Sequence, residues 1–165
     1  MTEPLTQLQI DWLLKHGVSP QAMYHPSQLR AAHGNKTKEG FFEPDPDGPA
    51  WFTFEEPLDV VFWNPKDGGI AYDTGRAFAL GEPLIDDPWS TAIDRWLKIF
   101  ADPLQWLQHD RRGLVVLNWT MAFDKLRDVP RIAVAEDVLP TYRKMMRPPR
   151  MPQLAVLPKA ERRAA

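Results

Sequence analysis

The chain has 165 residues, with 20 basic and 22 acidic side chains, no cysteine, 17 prolines and 7 tryptophans. That length fits one domain, perhaps with a small appendage, and the missing thiols exclude disulfides, a cysteine nucleophile and thiolate zinc or iron–sulfur sites. A hydrophobic content of 44% is too high for wholesale disorder, and no apolar run approaches the roughly 18 residues that a membrane helix needs.

Met1 to Leu14 mixes acids and glutamines with its apolar residues, so it does not read as a signal peptide. A soluble, cytoplasmic protein is the expectation. Leu5, Leu8, Trp12 and Leu13 recur at helical spacing, and Gly17 marks the stop. Ser19-Pro20 caps a short helix through Met23. Ser27 is expected to cap a turn through Leu29 to Ala32. From Gly34 to Gly48 the chain is polar and turn-rich, with a strong turn signal at Asp45-Pro46-Asp47-Gly48-Pro49. Trp51 to Phe54, Leu58 to Trp63 and Ile70 to Tyr72 are short aromatic and β-branched runs between turns, and they predict an antiparallel meander. Ser90 to about Phe100 is predicted as a helix with Ile93, Trp96, Leu97 and Phe100 as its apolar stripe. Asp102-Pro103 begins another short helix.

The last third changes style. Gly113 to Leu117, Ile132 to Ala135 and Leu154 to Leu157 are compact apolar runs, separated by a helix after Thr120 and a second from about Leu139 to Met146. Strand, helix, strand, helix, strand predicts a three-stranded parallel layer. The fold class is therefore α+β: a helical N-terminus, a small antiparallel meander and a βαβαβ layer. The divisions are 1–110, 111–158 and a frayed tail, 159–165. Charge divides at the same place. Residues 1–110 hold 8 basic and 17 acidic side chains, a net of −9, and residues 111–165 hold 12 and 5, a net of +7.

His25-Pro26, the turn Asn64-Pro65-Lys66-Asp67-Gly68-Gly69 within the meander, and Gly75-Arg76-Ala77-Phe78-Ala79-Leu80-Gly81, followed by the βαβαβ layer, resemble primase-like proteins of bacterial mobile elements that carry a toprim domain. The resemblance implies a toprim fold in the last third. It also implies a magnesium site of one Glu after the first strand and an Asp-x-Asp pair after a later one, since magnesium needs hard oxygen ligands. Asn118 stands where that Glu would be. Glu136-Asp137 are adjacent acids if Ile132 to Ala135 is the later strand. Pro158-Lys159 replace the pair if Leu154 to Leu157 is, an alignment that fits the element order better. The resemblance therefore implies a degenerate, non-catalytic relative, with neither a metal site nor a cofactor. The zinc module of such primases is also missing, for want of cysteine.

Other chemistries lack a motif. No two of the four histidines are spaced for a shared helix face, and there is no H-E-x-x-H, G-x-S-x-G, Walker A or G-x-G-x-x-G. Of the tryptophans, Trp51, Trp63, Trp96, Trp106 and Trp119 are expected mostly in core positions, and Trp89 is expected to be exposed. Arg143, Lys144, Arg147 and Arg150 are the nucleic-acid-binding candidates, because guanidinium groups bind phosphates in a fork and Arg143 and Arg147 are four apart. Asp45, Asp47, Glu55 and Glu56 are candidates for contact with a basic protein partner. The functional expectation is a non-catalytic accessory protein of a mobile element that binds nucleic acid or a protein. The alternative is an interaction module or inhibitor using the acidic meander face. A magnesium-dependent nucleotidyl-transfer enzyme is the remote third, because its carboxylate set is broken.

Overall fold

The computed structural model describes residues 2–148 and 153–156. Helix α1 (Gln7–Lys15) opens with a capping box: the Thr6 hydroxyl accepts from the Gln9 amide, and the Gln9 side chain accepts from the Thr6 amide at 2.8 Å. It ends at Gly17, which takes the left-handed conformation that the stop signal requires (φ +79°). Helix α2 (Pro20–Tyr24) has Ser19 as its cap and proline in its first turn. Both follow the sequence reading.

The meander is larger than expected. Strands β1 (Glu3–Pro4), β2 (Arg30–Lys36), β3 (Phe42–Pro44), β4 (Ala50–Glu56), β5 (Asp59–Trp63) and β6 (Ile70–Tyr72) form one antiparallel sheet, ordered β1-β2-β4-β5-β6 with β3 on β2. The three predicted strands appear as β4, β5 and β6. The segment Leu29 to Ala32, expected as a turn, instead leads into β2, which pairs with β1, β3 and β4. Ala, Gly, Asn and Lys have little strand preference, so this strand exists because it has partners on both sides. Side chains alternate across the sheet. Phe52, Phe54, Val61 and Trp63 face a main core with Leu13, Val18 and Leu29. Trp51 and Phe62 face the other side, where Phe42 stacks on Phe62 at 3.8 Å between ring centres. Gly34 lets that lid close, since a Cβ there would lie 2.4 Å from the Phe42 ring.

The second layer contains β7 (Ala79–Leu80), β8 (Leu97–Ile99), α3 (Pro103–Gln108), β9 (Val115–Val116), α4 (Ala122–Leu126), β10 (Ile132–Val134) and α5 (Leu139–Met145). Strands β8 and β10 pair in parallel, with Leu97 opposite Ile132, and β7 pairs antiparallel with β9. A single parallel bridge from Ile99 to Leu114 joins β8 to the start of β9. The predicted helix from Ser90 to Phe100 is corrected to a 3₁₀ turn (Pro88–Ser90), an irregular loop and strand β8. Leu97 and Ile99 are buried while Lys98 is exposed, a period of two that overrides the helical spacing of Ile93, Trp96, Leu97 and Phe100. The third predicted strand is also corrected. Over 153–156 there is no strand, with Leu154 90% and Val156 76% exposed, and Leu157 lies outside the described residues. The parallel neighbour of β10 is β8. The fold is thus mixed α and β, with an antiparallel sheet.

The two layers share strands. Val115 belongs to the main core with Leu80, Phe100 and Trp106, while Leu114 and Val116 turn into a second core with Phe78, Ile99, Leu126 and Val138.

Candidate functional site

Helix α3 is capped by Asp102, whose carboxylate accepts from the Gln105 amide at 2.9 Å. It ends in a double reversal. The amide of Asp110 donates to Leu107 and that of Arg111 to Trp106, the bond pattern that closes a helix around a left-handed residue. Glycine usually takes that place. Here Asp110 (φ +54°) and Arg111 (φ +56°) are both left-handed, a conformation that disfavours ordinary side chains. Strain of this kind, held by the surrounding structure, marks positions worth a functional question. The reversal turns Arg111 back onto its own helix. Its guanidinium lies 5.5 Å from the Trp106 ring and 5.7 Å from the Phe54 ring, and the residue is 5% exposed.

Arg111 Nη1 donates to the Ser27 carbonyl at 3.0 Å. Nε and Nη2 are buried and have no acceptor among the described residues. Burial pushes the guanidinium down to about 10, although the charge of Glu56 acts the other way. Glu56, at the end of β4, accepts from the Gly81 amide at 2.8 Å. Burial nevertheless raises its carboxyl to about 7, the Gly81 and Glu82 amides and the Arg111 charge only partly offsetting it. Arg111 and Glu56 form no ion pair within 4.0 Å among the described residues. Both line a cavity of about 460 Å³ with Phe54, Trp106, Pro57 and Pro83.

Arg111 also lines a larger cleft of about 690 Å³. Trp89 and Trp96 stand in it 66% and 54% exposed, and neither packs on another aromatic ring among the described residues. Arg95, Lys98 and Arg112, all exposed, surround them, with Asp87 and Asp94 as the only carboxylates on the lining among the described residues. Asp87 is partly committed, since it accepts from the Trp89 amide at 3.0 Å and caps the turn carrying that indole. Between the indoles, Ile93 has φ +57° and is 77% exposed, the second place where a non-glycine residue is left-handed. The Ser90 hydroxyl on the same wall is buried and has no partner among the described residues.

The candidates from the sequence are dispersed. Arg143 and Lys144 are exposed on α5, but the helix ends at Met145, so Arg147 lies beyond it and a helical face does not unite the set. Arg150 lies outside the described residues. Asp45 and Asp47 sit in the turn before β4, where Asp45 accepts from the Asp47 amide and the Asn35 side chain. Glu55 and Glu56 end the same strand, about 20 Å away at the usual rise per residue. Glu55 is exposed and Glu56 faces the Arg111 cavity. Asn118 caps the turn before α4, accepting from the Thr120 amide, and Glu136 and Asp137 are exposed beyond β10. Among the described residues, no group of three or more histidine and acidic side chains is placed to hold a metal ion, and no helix is long and apolar enough to cross a membrane.

Arg95, Trp96, Lys98, Arg111 and Arg112 were not among those candidates. Their signal was the Arg111-Arg112 pair placed between a helix stop and Gly113, and it was masked for Trp96 by an apparent helix. Comparison of the chain with protein-family models, curated proteins and solved structures finds no match.

Proposed function

We propose that this chain is a non-catalytic binding protein that holds single-stranded nucleic acid in the cleft between Trp89 and Trp96. The observation that carries the reading is two exposed indoles, packed on no other ring among the described residues, beside Arg95, Lys98 and Arg112. A stacked base gains roughly 1–3 kcal/mol on an aromatic side chain, without regard to sequence. Neighbouring cations hold the phosphates and release counterions. An exposed tryptophan that serves no core is otherwise a solubility cost. Arg143 and Lys144 on α5, with Arg147 just beyond its end, are proposed as further phosphate contacts. The non-catalytic role and the bacterial mobile-element setting are proposed from the sequence resemblance alone, in which Asn118 stands in place of the metal-binding Glu.

A labelled oligothymidylate titrated with the protein at low salt, read by fluorescence anisotropy, tests this. Saturable binding that weakens at least tenfold in Trp89→Ala/Trp96→Ala, with circular dichroism unchanged, is expected. Absence of binding, or binding indifferent to both indoles, overturns the reading. It would then favour a basic protein partner for the acidic residues Asp45, Asp47, Glu55 and Glu56.

A further inference from the structure

The cavity of about 460 Å³ beside Glu56 has a chemistry that base stacking does not use, and its size suits a small organic molecule. Its open walls are Pro26, Pro57 and Pro83, all exposed, and the half-buried Leu84. Proline has no amide N–H, so three of these four residues offer a ligand no backbone donor. Phe54 and Trp106 also line the cavity, but they are 1% and 2% exposed and lie under the Arg111 guanidinium.

The charges of the lining differ in what they present. Arg111 is its only cation among the described residues, and it is shut in. Nη1 donates to Ser27, and Nε and Nη2 have no surface open to solvent. The carboxylates are Glu55 and Glu56, and Glu55 is exposed. Glu56 Oε1 accepts from the Gly81 amide at 2.8 Å, while Oε2 has no such bond among the described residues. Unlike the Arg111 nitrogens, Oε2 is not closed off from solvent. Two carboxylates against one enclosed cation leave the cavity negative. An anion would meet repulsion and no reachable donor. A single ammonium would meet a reachable acceptor and balance the charge, since it carries three donors and no acceptor. Its carbon body would cover the proline wall.

We propose that this cavity binds a small primary amine with an apolar body, its ammonium on Oε2 of Glu56 and its body against Pro26, Pro57 and Pro83. Glu55 supplies further negative charge at the site. The proposal does not rest on nucleic-acid binding at the indoles.

The test uses the full chain labelled with nitrogen-15 at pH 7.5 and follows the Gly81 and Leu84 amide cross-peaks. Phenethylamine, 2-phenylethanol and phenylacetate are titrated separately, so that one body carries a positive, a neutral and a negative head. Saturable shifts of both peaks with phenethylamine are expected, with the alcohol and the acid at least tenfold weaker. Glu56→Gln keeps an acceptor for Gly81 and loses the charge, and it should weaken phenethylamine binding at least tenfold at the Leu84 peak. The comparison of the three probes needs no variant, so it decides the matter should Glu56→Gln fail to fold. No saturable shift with phenethylamine, an equally tight alcohol or acid, or unchanged binding in a folded Glu56→Gln would each overturn the proposal. So would Nα-acetyl-lysine methylamide binding as tightly as phenethylamine, which would make the cavity a receptor for a protein's lysine side chain instead.

Discussion

Two buried charges sit near the same end of the β4–β5 hairpin, Asp59 opposite Glu56 and Arg111 on the cavity that Glu56 lines, and are treated in opposite ways. Asp59 begins β5 and is 6% exposed. Its carboxylate accepts from the amides of Thr74, Arg76 and Ala77 at 2.8, 2.8 and 3.2 Å, so the turn after β6 is wound around it. Burial would raise its carboxyl, but those amides together hold it below the usual range. Arg111 is equally buried and keeps two donors without acceptors among the described residues. A charge whose hydrogen bonds are made is part of the scaffold, whereas one left half-bonded lowers stability. The same contrast separates Glu56, raised by burial, from Asp59.

Substitutions should sharpen that contrast, and the largest effect belongs to Asp59. Asp59→Ala leaves three amides without their acceptor, so a loss of about 3 kcal/mol or more is expected in urea unfolding. An effect below about 1 kcal/mol would remove the contrast. Glu56 comes next, with a sign that can be worked out. Its carboxyl is raised in the folded chain from 4.5 to about 7, so between those values the native state binds more protons than the unfolded state. Stability is therefore greatest below that window and falls as pH rises through it, by on the order of 3 kcal/mol at most. In Glu56→Gln this part of the pH dependence should vanish, which unfolding at about pH 5 and about pH 8 would show.

Arg111→Met should do the reverse of Asp59→Ala. Replacing an incompletely bonded buried cation by an apolar side chain of similar volume is expected to raise stability by about 1 kcal/mol. Thermal unfolding would detect it, and a clear loss of stability would make Arg111 a structural residue like Asp59. The smallest effect on stability, within about 0.5 kcal/mol, is expected for Trp89→Ala, because the indole is 66% exposed.

The legible parts of the fold were those with local causes. Thr6 and Ser19 as caps, Gly17 as a stop and the alternation within Ala50–Glu56 and Asp59–Trp63 depend on neighbours in sequence. Strand β2 depends on partners instead, and its Ala-Ala-His-Gly-Asn run carries no pattern. Strand β8 was hidden because Ile93, Trp96, Leu97 and Phe100 coincide with a helical stripe, whereas pairing with Ile132–Val134 sets the outcome. The sites were harder still. Arg111 meets Ser27, 84 positions away, and rings from β4 and α3. Glu56 was picked out as a surface acid, and it is its approach to Gly81 that makes it unusual. Trp89 was the exception, its exposure readable from the acidic, proline-containing loop around it.

The central claim, that cations and indoles of one cleft bind a single strand, is tested most directly by the salt dependence of oligothymidylate affinity. Three cations contribute roughly 0.7 each to the slope of log affinity against log salt on a single strand, so a slope of about −2 or steeper is predicted. Arg112→Ala should flatten it by about 0.7, while Trp89→Ala lowers affinity and leaves the slope unchanged. A slope near zero, or one that Arg112→Ala leaves as it was, would contradict the account.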